Sequence, residues 1–492
     1  MVFSSAVFLF VFLPLTLAGY YLCGRRLKNA FLLLASLLFY AWGEPSFVFV
    51  MMLSIVMNYV FGLLVVRREE GRYRHFILTL MVTANLSLFF VFKYLNFTIQ
   101  NLNYLFHGAI PQTHITLPIG ISFFTFQAMS YVFDVHRGMG EVQKNPLDVA
   151  LYVALFPQLI AGPIVRYETV AGEIRNRREN LADFTLGIRR FSVGLAKKVI
   201  LSDSVGLLAD EAFGCGNFSQ LSVAMAWLGV LAYAFQIYFD FGGYSDMAIG
   251  LGLMFGFHFE ENFRYPYISR TVTEFWHRWH ISLSSWFRDY LFYPVSRKAA
   301  PLAKRVKKRW GKNAGRLAPS IVALSAVWLC TGIWHGASWG YILWGVYYGV
   351  LLIAALVFQS ASKKMVKQLG INPESIWFAV FQIVRTMFLV LLGYVLFRSS
   401  SLKGAVGYYG AMFGLTGNAA LDTAALSALQ NHGSMLLLCA VGSTPFILLL
   451  QRKLGRFGSS ETVKNTACLL LLILSAAYIV SSTYNPFIYF AF

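Results

Sequence analysis

Long apolar stretches separated by short polar loops run through the whole chain. The longer stretches have the length that a helix needs to cross about 30 Å of hydrocarbon. Because several others are short or interrupted, the pattern predicts about ten to twelve transmembrane helices, with re-entrant and interfacial helices in addition. The candidate stretches lie at roughly 4–22, 30–42, 46–66, 76–98, 117–134, 148–163, 185–206, 221–256, 318–339, 341–358, 376–397, 434–451 and 466–482.

Composition supports an all-α polytopic integral membrane protein. Of the 492 residues, 57% are hydrophobic and only 13% are charged, whereas soluble domains contain about 25% charged residues. No long linker rich in proline, serine or charge interrupts the apolar stretches. The sequence therefore predicts a single membrane domain over residues 1–492.

The positive charge is concentrated in short loops. The net charge is +19, and the segment 296–316 alone holds nine Lys or Arg and no acid. Basic loops of this kind are typical of the cytoplasmic side of a membrane protein. They favour contact with anionic membrane lipids, or with an anionic donor molecule, over binding of nucleic acid.

A capping box begins the mixed polar and aromatic segment after residue 270. Thr271 and Glu274 have the spacing that caps a helix N-terminus. If the helix continues, polar residues fall in a stripe on one face and aromatic residues cover much of the rest, called here the jacket. Such a polar stripe is expected to line a wet cavity or bind a charged group. The stripe is His277, His280, Ser284 and Arg288, and the jacket includes Trp276 and Trp279. Glu274, His277 and His280 have metal-ligand spacing, but no second Glu-x-x-His exists, so no metal site is predicted.

A second histidine, His335, lies in a different apolar stretch. It follows Pro319 by sixteen residues, roughly 24 Å of helix. With basic segments on both sides, residues 318–358 are predicted to form a hairpin that has His335 near its tip. An imidazole at membrane depth usually faces a protein interior or a wet cavity, and imidazole suits proton transfer near neutral pH.

The residues by themselves leave other functions open. A lone buried histidine is commonly a hydrogen-bonded structural residue, and neither a hydrolase motif nor a phosphate-binding loop is present. Asp240 and Asp246 lie in the glycine-rich stretch 238–252, which keeps a transporter possible. A helix or loop cap satisfied by local bonds is an alternative role for these two acids.

Several motifs in a fixed order resemble the membrane-bound O-acyltransferase superfamily, in particular its bacterial alginate and peptidoglycan O-acetyltransferase branch. They are PIGISFFTFQAMSYVFDVHRG (118–138), LFPQLIAGPIVRY (155–167), DFGGYSDMAIGLGLMFGFHFEENFRYPY (240–267), FWHRWHISLSSWFRDYLFYPV (275–295) and TGIWHGASWGYILWG (331–345). The resemblance implies that His335 is the catalytic histidine and His280 a second functional position. The segment 487–490 is similar to the terminal aromatic motif of the branch, although Ala491 stands where a polar residue is common.

The resemblance implies a membrane O-acetyltransferase with helices around a central tunnel and no bound cofactor. Acetyl-CoA would be the cytoplasmic donor, and an extracytoplasmic polysaccharide such as alginate or peptidoglycan would be acetylated with a periplasmic SGNH-type partner. A bacterial inner-membrane location follows. Tyr489 is a possible acyl relay, and tunnel or donor-binding candidates are Trp276, Arg278, Trp279, Ser284, Trp334 and Asp246. D-alanyl transfer from a carrier protein and a non-catalytic transporter or flippase are the alternatives.

Overall fold

The chain is built from helices, as its apolar pattern predicts. The computed structural model describes residues 1–68, 71–455, 458, 460–482, 484 and 488, and no β-strand occurs among them. The all-α polytopic prediction is confirmed, since the described part contains eight helices long and apolar enough to cross a membrane, and two shorter apolar helices, Phe8–Leu22 and Lys28–Gly43. The central tunnel stays a prediction. The eight spans are Val48–Val66, Gly71–Phe106, Val223–Met254, Leu302–His335, Trp339–Gln368, Ile376–Arg398, Thr423–Gly442 and Glu461–Ser481.

The chain divides into two compact units. Of the described residues, the first unit contains those within 1–199, 243–261 and 465–488, and the second contains those within 200–242 and 262–464. The prediction of a single domain is not tested by this division. In the first unit the α-helices are Leu13–Leu22, Lys28–Gly43, Val48–Val66, Gly71–Phe89, Leu95–Phe106, Ile121–Arg137, Pro146–Ala154, Phe156–Leu159, Tyr167–Asn176, Leu181–Ala196, the last part of Val223–Met254 and most of Glu461–Ser481. The π-helical turns are Phe8–Phe12, Phe90–Tyr94 and the start of Lys197–Ser202.

Helices in the first unit pack closely where glycine or paired amides allow it. A Cβ atom at Gly62 would lie 2.5 Å from the Tyr131 ring, so only glycine admits this ring. The buried side chains of Asn58 and Asn85 exchange two hydrogen bonds of 3.0 Å each. Such reciprocal bonds satisfy polar groups that hydrocarbon cannot solvate.

A histidine clamp joins two helices of the first unit to the segment after residue 254. Nδ1 of His258 lies 2.7 Å from Glu173 Oε1, and Nε2 lies 3.3 Å from Asp183 Oδ2. Partial burial lowers the pKa of His258, but the hydrogen bonds and charges of Glu173 and Asp183 outweigh burial, so that its pKa lies above the usual value. The folded unit therefore favours the protonated imidazole.

The His258 clamp predicts a pH-dependent stability. Because the folded pKa is raised, the stabilisation is fully present below the unfolded pKa of about 6.5 and is lost as pH rises through the folded pKa. The side chain is half-exposed, so solvent screening limits the effect to at most about 1 kcal/mol. Melting curves at pH 5.5 and pH 9 should show a fall in Tm for the wild type and a smaller fall for His258→Gln, with the exposed His114→Gln as control. An unchanged pH dependence in His258→Gln would contradict the prediction.

The second unit contains the two histidines that the sequence singles out. Its longest α-helices, Leu302–His335 and Trp339–Gln368, form the predicted hairpin, in which a Cβ at Gly332 would lie 2.6 Å from the Tyr341 carbonyl oxygen. The pattern 434–451 predicts one span, but the chain breaks between Gly442 and Phe446, where Pro445 precedes the next helix. The other helices are Asp203–Phe213, the first part of Val223–Met254, Pro266–Ile268, Val272–Arg278, Ile281–Phe287, Arg288–Phe292, Tyr293–Ala299, Ile376–Arg398, Leu402–Met412, Thr423–Gly442 and Phe446–Lys453.

The basic segment 296–316, which the sequence presents as a loop, is largely helical. Helix Leu302–His335 contains a sharp kink at Gly311, whose φ of 87° and ψ of 172° are not helical. The two arms come together at Gly315, where a Cβ would lie 2.6 Å from Lys307 Cβ. The fold therefore concentrates the basic side chains on a compact helical hairpin, called here the basic hairpin (residues 302–316).

Candidate active site

Residues 266–299 do not form the single long helix that the sequence pattern predicts. The short helices Pro266–Ile268 and Val272–Arg278 precede a break, after which residues 281–299 form one helix with a π-helical turn at Arg288–Phe292. The cap at the start is confirmed in part. Thr271 Oγ1 accepts a hydrogen bond from Glu274 N at 3.0 Å, as a capping box requires. Glu274 Oε2, however, accepts from Arg270 N at 2.9 Å, one residue earlier than in the standard arrangement.

The helix breaks at His280, and the predicted continuous polar stripe is therefore wrong. His280 has the left-handed backbone angles φ 46° and ψ 54°. On either side, backbone groups bond to a neighbouring segment: Ile281 N donates to Asn262 O at 3.0 Å, and Arg264 N donates to Arg278 O at 2.9 Å. These bonds replace intrahelical bonds that a continuous helix would have made.

The His280 side chain is enclosed, with 1% of its surface exposed. Its Nδ1 lies 3.2 Å from Asn262 Oδ1. The ring meets Phe241 edge-on at 4.7 Å and Trp334 at 6.1 Å between centroids. Burial lowers the pKa of His280 to about 3, so the imidazole is neutral at physiological pH.

His335 is the last residue of its helix, at the tip of the hairpin where the sequence places it. Its side chain is 6% exposed. Three aromatic rings surround the imidazole edge-on, at centroid distances of 4.9 Å for Trp334, 4.9 Å for Trp344 and 5.1 Å for Phe397. Trp334 thus contacts both imidazoles, and the structure brings His280, Trp334 and His335 into one cluster.

A second aromatic group, called here the tryptophan cluster, consists of Trp276, Trp328, Trp344 and Tyr348. Trp276 contacts each of the other three, at centroid distances of 4.7, 5.6 and 4.9 Å respectively. Among the described residues, none accepts a hydrogen bond from Trp276 Nε1, Trp344 Nε1 or the Tyr348 hydroxyl. A buried donor without an acceptor costs about 1–3 kcal/mol, so the cluster is a favourable surface for polar atoms of a ligand.

A pocket of about 480 Å³ lies against the tryptophan cluster. This volume is within the range of small-molecule sites, about 300–1,000 Å³. The pocket brings together the predicted residues Trp276 and Ser284, with Arg288 beside them. The rest of its wall is Thr273, His277, Ile281, Leu283, Ser285, Phe287, Phe292, Tyr293, Leu324, Val327, Trp328, Thr331 and Leu352.

Two of the predicted candidates have evident structural contacts. Arg278 forms an ion pair of 2.7 Å with Glu274, four residues earlier on the same helix. Trp279 stacks on Phe275 with centroids 5.6 Å apart and meets Phe263 edge-on at 5.0 Å. A role in donor binding stays a prediction for both. Tyr489 lies outside the described residues, and its acyl-relay role also stays a prediction.

Asp246 belongs to the first unit, where it is bonded across helices. Oδ1 accepts from Arg190 Nη2 at 2.8 Å, and Oδ2 accepts from Lys197 Nζ at 2.7 Å. Glycines allow the two helices to approach this closely, since a Cβ at Gly194 would lie 2.6 Å from the Gly243 carbonyl oxygen. The alternative role as a locally satisfied cap is wrong for Asp246. Donor binding by this residue stays a prediction.

Three residues of the site could not be identified from the sequence. Asn262 lies inside a quoted motif, yet nothing in the sequence separates a buried hydrogen-bonding asparagine from a loop residue. Trp344 and Phe397 lie in apolar stretches at helical spacing, where aromatic residues are common in any core. Only the fold shows that these rings contact His335.

Comparisons with known proteins identify relatives along the whole chain. Residues 123–397 match the family model of MBOAT, the membrane-bound O-acyltransferase family. The chain is 43% identical to the probable alginate O-acetylase AlgI of Pseudomonas syringae pv. tomato, over 84% of this chain and 75% of that protein. It is 39% identical to the probable alginate O-acetylase AlgI of Pseudomonas putida, over 100% of both chains. It is 31% identical to the peptidoglycan O-acetyltransferase of Helicobacter pylori, over 100% of this chain and 98% of that one.

Proposed function

The chain belongs to the membrane-bound O-acyltransferase family and is a multi-pass membrane O-acyltransferase, and on that premise we propose that it transfers acetyl groups from acetyl-CoA for the O-acetylation of an extracytoplasmic polysaccharide. Relatives that match over the full length of the chain are named for alginate and for peptidoglycan acetylation. The proposal includes the bacterial inner membrane as the location and acetyl transfer from the cytoplasmic to the opposite side.

The observation that carries this proposal is the enclosed imidazole of His335. Acyl transfer to a hydroxyl requires a base that takes the hydroxyl proton while the oxygen attacks the thioester carbonyl. His335 at the hairpin tip has this chemistry, and its aromatic surroundings keep water away from the reacting thioester. As the new C–O bond forms, the C–S bond breaks, and the proton held by His335 passes to the leaving thiolate.

The pocket beside the tryptophan cluster supports binding of the donor in the same unit. Trp276 lines the pocket and contacts Trp344, which in turn contacts His335 at 4.9 Å. We assign the acyl-thioester arm of the donor to this pocket, with an amide oxygen of the arm accepting a hydrogen bond from Nε1 of Trp276 on the pocket wall. The basic hairpin, which carries no acid, offers charge complementarity to the phosphates of acetyl-CoA.

We assign transfer of the acetyl group to the far side of the membrane to an acyl relay. A phenol at Tyr489 could accept the acetyl group as an ester and present it to a periplasmic SGNH-type protein, which is covalent catalysis in outline. An interfacial aromatic residue is the simpler role for Tyr489. Choice of the polysaccharide would then belong to the partner protein and not to this chain.

A donor experiment tests the proposal. The purified protein, reconstituted in sealed proteoliposomes, is given either radiolabelled acetyl-CoA or a D-alanyl carrier-protein thioester, with polysaccharide and periplasmic extract on the opposite side. Acetyl-CoA should release CoA and label the polysaccharide, whereas the carrier protein should not. Labelling from the carrier protein alone would instead indicate D-alanyl transfer, and movement of an unmodified solute without any transfer would indicate a transporter.

A further inference from the structure

Asn262 has a position that lets it act on His280. It is fully buried, and the segment that carries it also bonds through its backbone to Ile281. Its Oδ1 accepts two hydrogen bonds from Ser282, from the backbone N at 3.2 Å and from Oγ at 2.9 Å. His280 Nδ1 lies 3.2 Å from the same oxygen and 3.5 Å from Ser282 Oγ, whose hydrogen is donated to Asn262 Oδ1.

The orientation of the amide follows from these partners. A backbone N–H can only donate, so the atom of Asn262 that faces Ser282 N must be the carbonyl oxygen and not the amide nitrogen. Because this oxygen is an acceptor without a proton, His280 Nδ1 must carry the hydrogen in their contact. The remaining ring nitrogen, Nε2, then carries the lone pair of the neutral imidazole.

We propose that Asn262 is a positioning residue that fixes His280 in its Nδ1–H tautomer and so presents Nε2 as a hydrogen-bond acceptor to the reaction. A neutral Nε2 can accept the hydrogen of a hydroxyl or thiol, but it cannot donate to an oxyanion. The inference rests on the proposed acyl transfer and makes the role of His280 more specific. Orientation of a substrate donor group, other than the hydroxyl hydrogen that His335 takes, is thereby favoured over stabilisation of the acyl oxygen.

The left-handed backbone at His280 supports the same role. A histidine at φ 46° is uncommon, because the Cβ atom crowds the following carbonyl in this region. The hydrogen bonds that Ile281 N, Ser282 N and Ser282 Oγ donate to Asn262 hold the chain in this conformation. A strained residue that the surrounding structure holds in place is typical of a functional position.

Nitrogen-15 NMR of histidine-labelled protein reads the tautomer without any activity. In the wild type, His280 should show a protonated Nδ1 and an unprotonated Nε2, with the signal assigned by its loss in His280→Gln. In Asn262→Leu, which removes the acceptor at nearly constant volume, the population should shift toward the Nε2–H tautomer. Asn262→Asp, which keeps an oxygen at the same place, should retain the Nδ1–H tautomer. An unchanged tautomer in Asn262→Leu would overturn the proposal.

The kinetics separate positioning from a general loss of structure. For Asn262→Leu, we expect kcat to fall about 100-fold, as for loss of one acid–base contact, with KM for the donor nearly unchanged. Asn262→Asp should recover most of kcat. The acid limb of its pH–rate profile should move to higher pH, because a carboxylate raises the pKa of the adjacent imidazole. Asn431→Leu, the same substitution at an exposed asparagine of helix Thr423–Gly442, should stay within a few-fold of the wild type and serves as the matched control. Equal loss in the leucine and aspartate variants of folded protein would overturn the proposal. A wild type that transfers no acetyl group would overturn the proposed function and leave the NMR result standing.

Discussion

Replacing His335 by alanine should lower the rate of acetyl transfer by about 10²–10⁴-fold, the contribution typical of a general base. The imidazole lies among three aromatic rings that offer no other proton acceptor in its place. The attacking hydroxyl would then have to lose its proton without assistance. The measurement is the initial rate of label transfer from acetyl-CoA by protein in proteoliposomes.

Two controls make the result specific to the imidazole. Alanine leaves a cavity among the rings and destabilises the unit, so His335→Gln, which keeps more of the side-chain volume, should show the same loss of rate with less loss of stability. His114→Ala removes an exposed histidine outside the site and should leave the rate unchanged. A folded His335→Gln protein with wild-type activity would exclude His335 as the base.

The membrane architecture could be predicted from the sequence because burial in hydrocarbon imposes a simple rule. Apolar length and the absence of charge locate the predicted spans 46–66, 221–256 and 376–397 to within a few residues of the observed Val48–Val66, Val223–Met254 and Ile376–Arg398. The position of His335 followed from the same rule, because basic segments on both sides require a hairpin between them. A helix satisfies its own backbone hydrogen bonds within the membrane, so a span can be predicted without knowledge of its tertiary contacts.

The break at His280 could not be predicted, because its cause lies far away in the sequence. The segment around His280 has helical periodicity and a good N-cap, so local rules favour continuation. The competing bonds come from the segment of Asn262 and Arg264, and Asn262 precedes His280 by 18 residues. These bonds replace intrahelical bonds. A local pattern carries no information about such partners.

The same limitation applies to Asp246 and to the basic segment. Sequence shows an acid in a glycine-rich stretch, but the partners Arg190 and Lys197 lie on another helix that approaches only because glycines face each other. In the basic segment, nine like charges suggest a solvated loop, whereas a left-handed glycine at 311 lets two helical arms fold together. In each case tertiary packing decides the conformation.

Replacing His280 should also lower acetyl transfer strongly, by about 100-fold or more if Nε2 orients the reacting substrate. Glycine is the informative substitution, because it adopts the left-handed backbone of position 280 without steric cost. His280→Ala removes the same ring but keeps the backbone strain. We therefore expect equal losses of rate in the two variants and a higher Tm for the glycine variant.

Chemical rescue distinguishes the ring from the backbone. Imidazole added at millimolar concentration can enter the space left in His280→Gly and supply an acceptor nitrogen, so part of the rate should return. No rescue is expected for His335→Gln, since its side chain occupies the site. If His280→Gly were fully active while His280→Ala was inactive, the left-handed backbone and not the imidazole would be the functional feature. If neither variant lost activity, His280 would have a structural role, and the reaction would depend on His335 without it.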